Sequence, residues 1–231
     1  MSQKAIFVVG ASRGIGLEVV NQLSQDPNNI VFAALRKTPN IPLYNGNHSN
    51  VKIVHLDQTS TSSVAAAAAA IPELDALILN AAIGEDDHLT SITPERLSQY
   101  LDTNVVGSLR ITQAILPALK ARQTRRIIYI SSNAGSLAGQ KQVSWGLQGP
   151  YAVTKAAGNM MVVQLDNELR FQGFTVVSVH PGWVDTDMGR LGGDGGMPVE
   201  DSAKYLIDLE QKLRIDDGAK FFNYDGTELP Y

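Results

Sequence analysis

The sequence predicts an α/β fold: a doubly wound, mostly parallel sheet with helices on both faces. Two observations carry this. Short β-branched runs alternate with helical patterns along the 231 residues, and the runs are solidly apolar, as strands covered on both faces must be. Residues 5–9 are the first run and stop at Gly10. Ile15, Val19, Val20 and Leu23 then recur at helical spacing. Residues 30–35 and 51–56 predict the second and third strands, the latter reaching Asp57. Residues 59–70 are alanine-rich and favour helix. Residues 74–79 predict a fourth strand, ending at Asn80. Thr93 before Pro94 and Glu95 reads as an N-cap with proline at the first helical position, opening a helix expected to run through Asn104 to about Lys120. Residues 126–130 predict a fifth strand before Ser131-Ser132, and residues 150–170 a long helix. Residues 175–179 predict a sixth strand, closed by His180-Pro181-Gly182, and residues 221–224 a short last one.

No internal repeat or dividing linker is found, so residues 1–231 are expected to form one domain. The compositional break at residues 189–198 is rich in glycine and reads as part of a flexible substrate lid near 186–200. A net charge of −4 argues against a broad nucleic-acid-binding face. The absence of cysteine excludes disulfides and thiolate chemistry. His88 and His180 have no second ligand at helical or hairpin spacing, so no metal site is expected. No apolar stretch reaches the roughly 18 residues of a membrane helix. The first residues do not read as a signal peptide, and a cytoplasmic location is the expectation.

Three motifs carry chemistry. Residues 10–16 read GASRGIG, between the first strand and the first helix. Glycine lets backbone approach a pyrophosphate there, and the helix start offers N–H groups and a positive dipole end. An NAD site usually has an acid at the end of the second strand for the ribose hydroxyls, but Ala34-Leu35-Arg36-Lys37 has none. Arg36, with Lys37 and Arg13, suits a 2′-phosphate instead, so NADPH or NADP+ is the expected cofactor. Tyr151 and Lys155 stand four apart on one helix face. A nearby ammonium is expected to lower a phenol from about 10 by roughly 1–3 units. Ser132, just past the fifth strand, sits where such folds bind ligands, with Ser131 and Ser136 as rivals. Leu137, Trp145, Trp183 and Met188 are candidates to line a mostly apolar substrate pocket.

Glycine turn, strand-end serine and Tyr-x-x-x-Lys together resemble the short-chain dehydrogenase/reductase family, over essentially the whole chain. HPGWVDTDM and Tyr224-Asp225-Gly226 look most like its small carbonyl-reductase branch. The resemblance implies a Rossmann-type sheet and a cofactor held by Gly10, Ser12, Arg13, Gly14, Ile15 and Gly16 of the turn, with Arg36 beyond them. It adds Asp57 and Gln58 beside the adenine, then Asn80 and Ala81, Tyr151 and Lys155, and finally Pro181, Gly182, Val184 and Thr186. Tyr151 would exchange a proton with a carbonyl oxygen that Ser132 holds. Lys155 would bind the ribose and lower the tyrosine, and Asn104 would anchor a water leading toward Lys155. A small carbonyl substrate and a homodimer or homotetramer are implied. Leu79 and Ala82 depart from the family's Asn-Asn-Ala-Gly pattern, and the stretch from Ser132 to Tyr151 is long. Two other readings stand beside this one: a dehydratase or epimerase on the same fold, and a non-catalytic NADP-binding regulator.

Overall fold

Phe7 and Val9 face one way from the first strand and Ile6 and Val8 the other, and all four are buried. That two-sided burial repeats in the central strands and explains why they are solid apolar runs, while the edge strand at Val51–His55 buries only Val54. The computed structural model describes residues 3–44, 48–141, 143 and 146–231. Among these, the strands are β1 (Lys4–Val9), β2 (Asn29–Leu35), β3 (Val51–His55), β4 (Ala76–Leu79), β5 (Arg126–Ile130), β6 (Thr175–His180) and β7 (Phe221–Asn223). They lie in the order β3-β2-β1-β4-β5-β6-β7, with every pairing parallel. The sheet is a Rossmann-type, doubly wound one, as the sequence predicts. The fourth strand starts two residues later than expected, because the Leu74 N–H bonds Ala118 O instead of the ladder.

The helices are α1 (Gly14–Ser24), α2 (Thr61–Ala69), α3 (Pro94–Leu101), α4 (Gly107–Lys120), α5 (Gly149–Leu169) and α6 (Val199–Lys212). One face of the sheet is covered by Val64 of α2, Ile111 and Ile115 of α4, and Val162 and Leu165 of α5. The other is covered by Val19, Val20 and Leu23 of α1 and by Ala203 and Leu206 of α6. Burying each larger side chain contributes about 1.5–3 kcal/mol. Thr93 caps α3 as predicted, its hydroxyl accepting from Arg96 N at 3.2 Å.

Two features depart from the sequence reading. The helix expected from residue 94 to about 120 is divided by a π-helical turn at Asp102–Val106. This turn holds Asn104, whose carbonyl accepts from Ser108 Oγ at 3.0 Å and Tyr129 Oη at 3.3 Å. The second is α6, where no element was expected. Its inner face joins Ala203 and Leu206 to the buried polar residues Ser202 and Glu210. Glu210 is matched by Lys4 and by Arg126 at 2.9 Å, partners that only the fold brings near. No helix among the described residues is long and apolar enough to cross a membrane.

Candidate functional site

The strand order reverses beside β1, between β2 and β4, and a crevice opens there at the carboxyl ends of the strands. The chain leaves β1 at Gly10, whose φ of +81° belongs to the left-handed region. A Cβ at Gly10 would lie 2.8 Å from the Ala81 backbone, so glycine alone lets the turn sit against the end of β4. Gly16 is buried, and a Cβ there would lie 2.3 Å from Gly10 O and 2.5 Å from Asn80 Nδ2. Gly16 therefore seats α1 on the turn. Asn80 Nδ2 donates to Gly10 O at 3.0 Å and ties the turn to β4. Arg13 gives α1 no side-chain cap and its first turn holds no acid, so the positive helix end stands uncompensated where Ser12, Gly14 and Ile15 line the crevice.

The crevice has a volume of about 800 Å³. Arg36 is exposed on its wall at the end of β2, while Lys37 does not line it. Asp57 and Gln58 line it past β3. Thr59 donates to Asp57 through its hydroxyl at 2.7 Å and its N–H at 2.9 Å, holding that carboxyl below the usual range. Gln58 Nε2 donates to Thr103 O at 2.9 Å. Ala81, Pro181, Gly182, Val184 and Thr186 complete the wall named from the sequence. Arg13 also lines it, and its guanidinium lies 3.5 Å from Asp187 on the opposite rim.

Ser132 ends the path out of β5 and caps a short turn, its Oγ accepting from Ala134 N at 3.2 Å. Gly135 of that turn lies against α5, where a Cβ would stand 2.7 Å from the Lys155 carbonyl carbon. This contact brings Ser132 to the helix carrying Tyr151 and Lys155, and all three line the crevice. The rival serines have other partners. Ser131 Oγ donates to Asn159 Oδ1 at 2.6 Å, and Ser136 Oγ to Pro230 O at 2.6 Å. Lys155 Nζ donates to Ile130 O at 2.6 Å and lies 5.4 Å from the Tyr151 ring centre and 4.9 Å from that of Tyr129.

Burial pushes the Tyr151 phenol up to about 12, partly offset by a hydrogen bond with Ser132. Burial pulls the Lys155 ammonium down to about 7. The expected lowering of tyrosine by lysine is therefore not found, because both groups are desolvated and the lysine holds less charge near neutrality. Asn104 is buried behind the wall and does not line the crevice. Its Oδ1 accepts from Ile83 N at 2.8 Å, and its Nδ2 donates to Ile83 O at 2.9 Å and Thr154 Oγ1 at 3.0 Å. Its side chain thus ties the segment after β4 to α5.

On the substrate side, Trp183 and Met188 line the crevice. Leu137 does not: it is 75% exposed, because its neighbour Ser136 turns inward to Pro230. Trp145 lies outside the described residues. The sequence reading missed Ile83 and Leu147, which pack with Met188 against the cluster of Tyr100, Ala134 and Tyr151. It also missed Asn133 and Gln140 as lining residues. For Ile83 the signal was its place directly after Asn80-Ala81-Ala82; for Leu147 no local pattern marks it. His180, expected as a strand-end residue, also lines the crevice. Its Nδ1 is buried without a partner among the described residues, and burial pulls the imidazole down to about 4. No cluster of three metal-ligating side chains occurs among the described residues.

The chain is 34% identical to an uncharacterized oxidoreductase of Saccharomyces cerevisiae, over 98% of this chain and 97% of the yeast one. It also resembles a structure of NADPH-bound carbonyl reductase from chicken fatty liver, at 31% identity and a TM-score of 0.91 over the full length of both chains. The carbonyl reductase Sniffer of Drosophila melanogaster gives a TM-score of 0.87 at 29% identity, again over both full lengths. The sequence pattern of the short chain dehydrogenases matches residues 4–193, and the chain belongs to that family.

Proposed function

We propose that this protein is an NADPH-dependent reductase of small ketones or aldehydes, with Tyr151 as the acid. The observation that carries the reading is the convergence of Ser132, Tyr151 and Lys155 on the same crevice that the glycine turn lines. The cofactor fits on the chemistry of the residues. Ser12, Gly14 and Ile15 of the turn line the crevice, α1 points its positive end there with no acid in its first turn, and β2 runs into Arg36 with no acid beside it. The named cofactor state of the chicken enzyme supports the same choice. Bound there, NADPH supplies the hydride.

The chain's own groups handle the oxygen. Ser132 donates a hydrogen bond to the carbonyl oxygen as negative charge develops on it. Tyr151 transfers its phenolic proton to that oxygen, so that carbon gains the hydride, oxygen gains the proton, and a phenolate is left on the enzyme. A phenol at about 12 is fully protonated near neutrality, which suits it to begin as donor in the reductive direction. Lys155 orients the ribose side of the pocket from its anchor on Ile130 O. Trp183, Met188, Ile83 and Leu147 form the apolar side that receives the substrate.

NADPH oxidation against a panel of aldehydes, ketones and quinones tests this, with Tyr151→Phe in parallel. Turnover that falls by about a hundredfold or more in the variant is expected. NADPH binding with no turnover would instead favour a non-catalytic NADP-binding protein. Residues 186–200 act as the lid in this reading. Trp183 Nε1 donates to Gly189 O at 2.9 Å, and Val184 pairs with Met197, so the segment folds onto the rim as one loop. NADPH is expected to slow proteolysis there; cleavage at an unchanged rate would count against a lid.

A further inference from the structure

Ser136 and the segment after Tyr224-Asp225-Gly226 have no part in the hydride chemistry, yet the structure joins them. Beyond β7 the chain turns at Asp225, whose Oδ1 accepts from Thr227 N at 3.0 Å and Thr227 Oγ1 at 2.6 Å. It then runs back antiparallel to β7, with Leu229 N donating to Phe221 O at 2.7 Å. Tyr231 stacks on buried Phe221 at 5.6 Å, and its hydroxyl donates to Ala219 O at 2.7 Å. Residues 229–231 are thereby held as a strap against the rigid edge of the sheet.

The strap grips the loop that leaves Ser132. Ser136 Oγ donates to Pro230 O at 2.6 Å, and Ala138 N donates to Tyr231 O at 3.0 Å. The same Ser136 Oγ accepts from Gly139 N at 2.9 Å, so one buried hydroxyl closes the loop on itself and fastens it to the strap. Ser136 O accepts from Gln140 N at 3.0 Å, and Gln140 Nε2 donates to Asn133 O at 3.3 Å. Asn133 and Gln140 both line the substrate side of the crevice. The loop's other flank is fixed by α5, through Gly135 against Lys155 and Asn159 Nδ2 donating to Gly135 O at 3.2 Å.

We propose that Ser136 and the strap at residues 229–231 are positioning residues for the reduction, setting where Ser132 and Gln140 stand relative to Tyr151. This rests on the reductase reading. Neither touches the reacting atoms. They act by holding from outside a loop that α5 holds from inside, so loosening the strap frees one flank of the substrate site and leaves the glycine turn intact.

The test uses Ser136→Ala, Tyr231→Ala, the double variant and Tyr231→Phe. Each alanine variant should lower kcat about tenfold, within the roughly hundredfold that a 1 Å misplacement can cost. NADPH affinity and binding stoichiometry should stay within twofold of wild type, which separates misplacement from a loss of folded protein. The double variant should be no worse than the weaker single one, since both break one fastening. Tyr231→Phe keeps the ring stack and the backbone carbonyl and should recover most of the rate. Amides of residues 134–140 should exchange faster in Ser136→Ala and Tyr231→Ala. Unchanged kcat in both alanine variants, losses that multiply in the double variant, or unchanged exchange in the loop would overturn the proposal. A wild type that reduces no carbonyl would sink the reductase reading instead, and loop exchange alone would then decide whether the strap holds the loop.

Discussion

Replacing Lys155 with Met removes a buried amine and keeps its apolar stem. Lys155 is 2% exposed, and burial brings it from 10.5 in an open chain to about 7 in the fold. Below pH 7 the ammonium is protonated in both states, and folding carries the full cost of desolvating it. Between pH 7 and 10.5 the unfolded chain holds more protons than the folded one, so stability rises with pH. The cost is about 4 kcal/mol at pH 7 and about 2 kcal/mol at pH 9, so the wild type should gain about 2 kcal/mol over that window. Lys155→Met should lack this gain. The variant also leaves Ile130 O without its lysine, but that penalty is the same at both pH values and does not enter the difference. Urea unfolding of both proteins at pH 7 and pH 9 measures it, read from midpoints at constant slope. Parallel changes in the two proteins would refute the argument and show that the ammonium is not desolvated. It would then be charged at pH 7 and able to lower Tyr151, as the Tyr-x-x-x-Lys spacing alone suggests.

Other consequences follow from the same geometry. Arg36→Ala should raise the KM for NADPH about tenfold and leave NADH use unchanged, because only the 2′-phosphate needs the guanidinium; equal losses with both cofactors would refute that assignment. His180, held at about 4, stays neutral in the fold while the unfolded chain takes up a proton below about 6.5. The fold should therefore lose up to about 3 kcal/mol as pH falls from 6.5 to 4, and His180→Asn should flatten the loss in an acid unfolding series. An unaltered acid limb in that variant would place the transition in other groups.

What the sequence made legible and what it left hidden divide along local and non-local lines. The central strands were readable because both faces of the sheet demand apolar side chains there, so each is a nearly continuous apolar run, whereas the edge strand β3 is mostly exposed. The glycine turn was readable because its constraint acts across a few residues. Gly16 shows where that reading stops: its neighbours are the Gly10 carbonyl and Asn80, so its lack of a side chain serves helix seating. On α6 the burial of Glu210 was hidden, because its partners Lys4 and Arg126 come from two distant strands.

The three serines make the same point at the site itself. In the sequence, Ser131, Ser132 and Ser136 are near-equivalent hydroxyls after one strand. In the fold they differ by what faces them. Asn159 from α5 takes the first, and Pro230, nearly a hundred residues away, takes the third. Ser132 lines the crevice and hydrogen-bonds with Tyr151. The Tyr151–Lys155 pair was visible by spacing, yet the direction of its electrostatics was not. A spacing of four residues fixes which side chains are neighbours, whereas a pKa depends on how much water remains around them. That is set by Ile83, Leu147, Met188 and the adjacent Tyr129 and Ile130, from four separate parts of the chain.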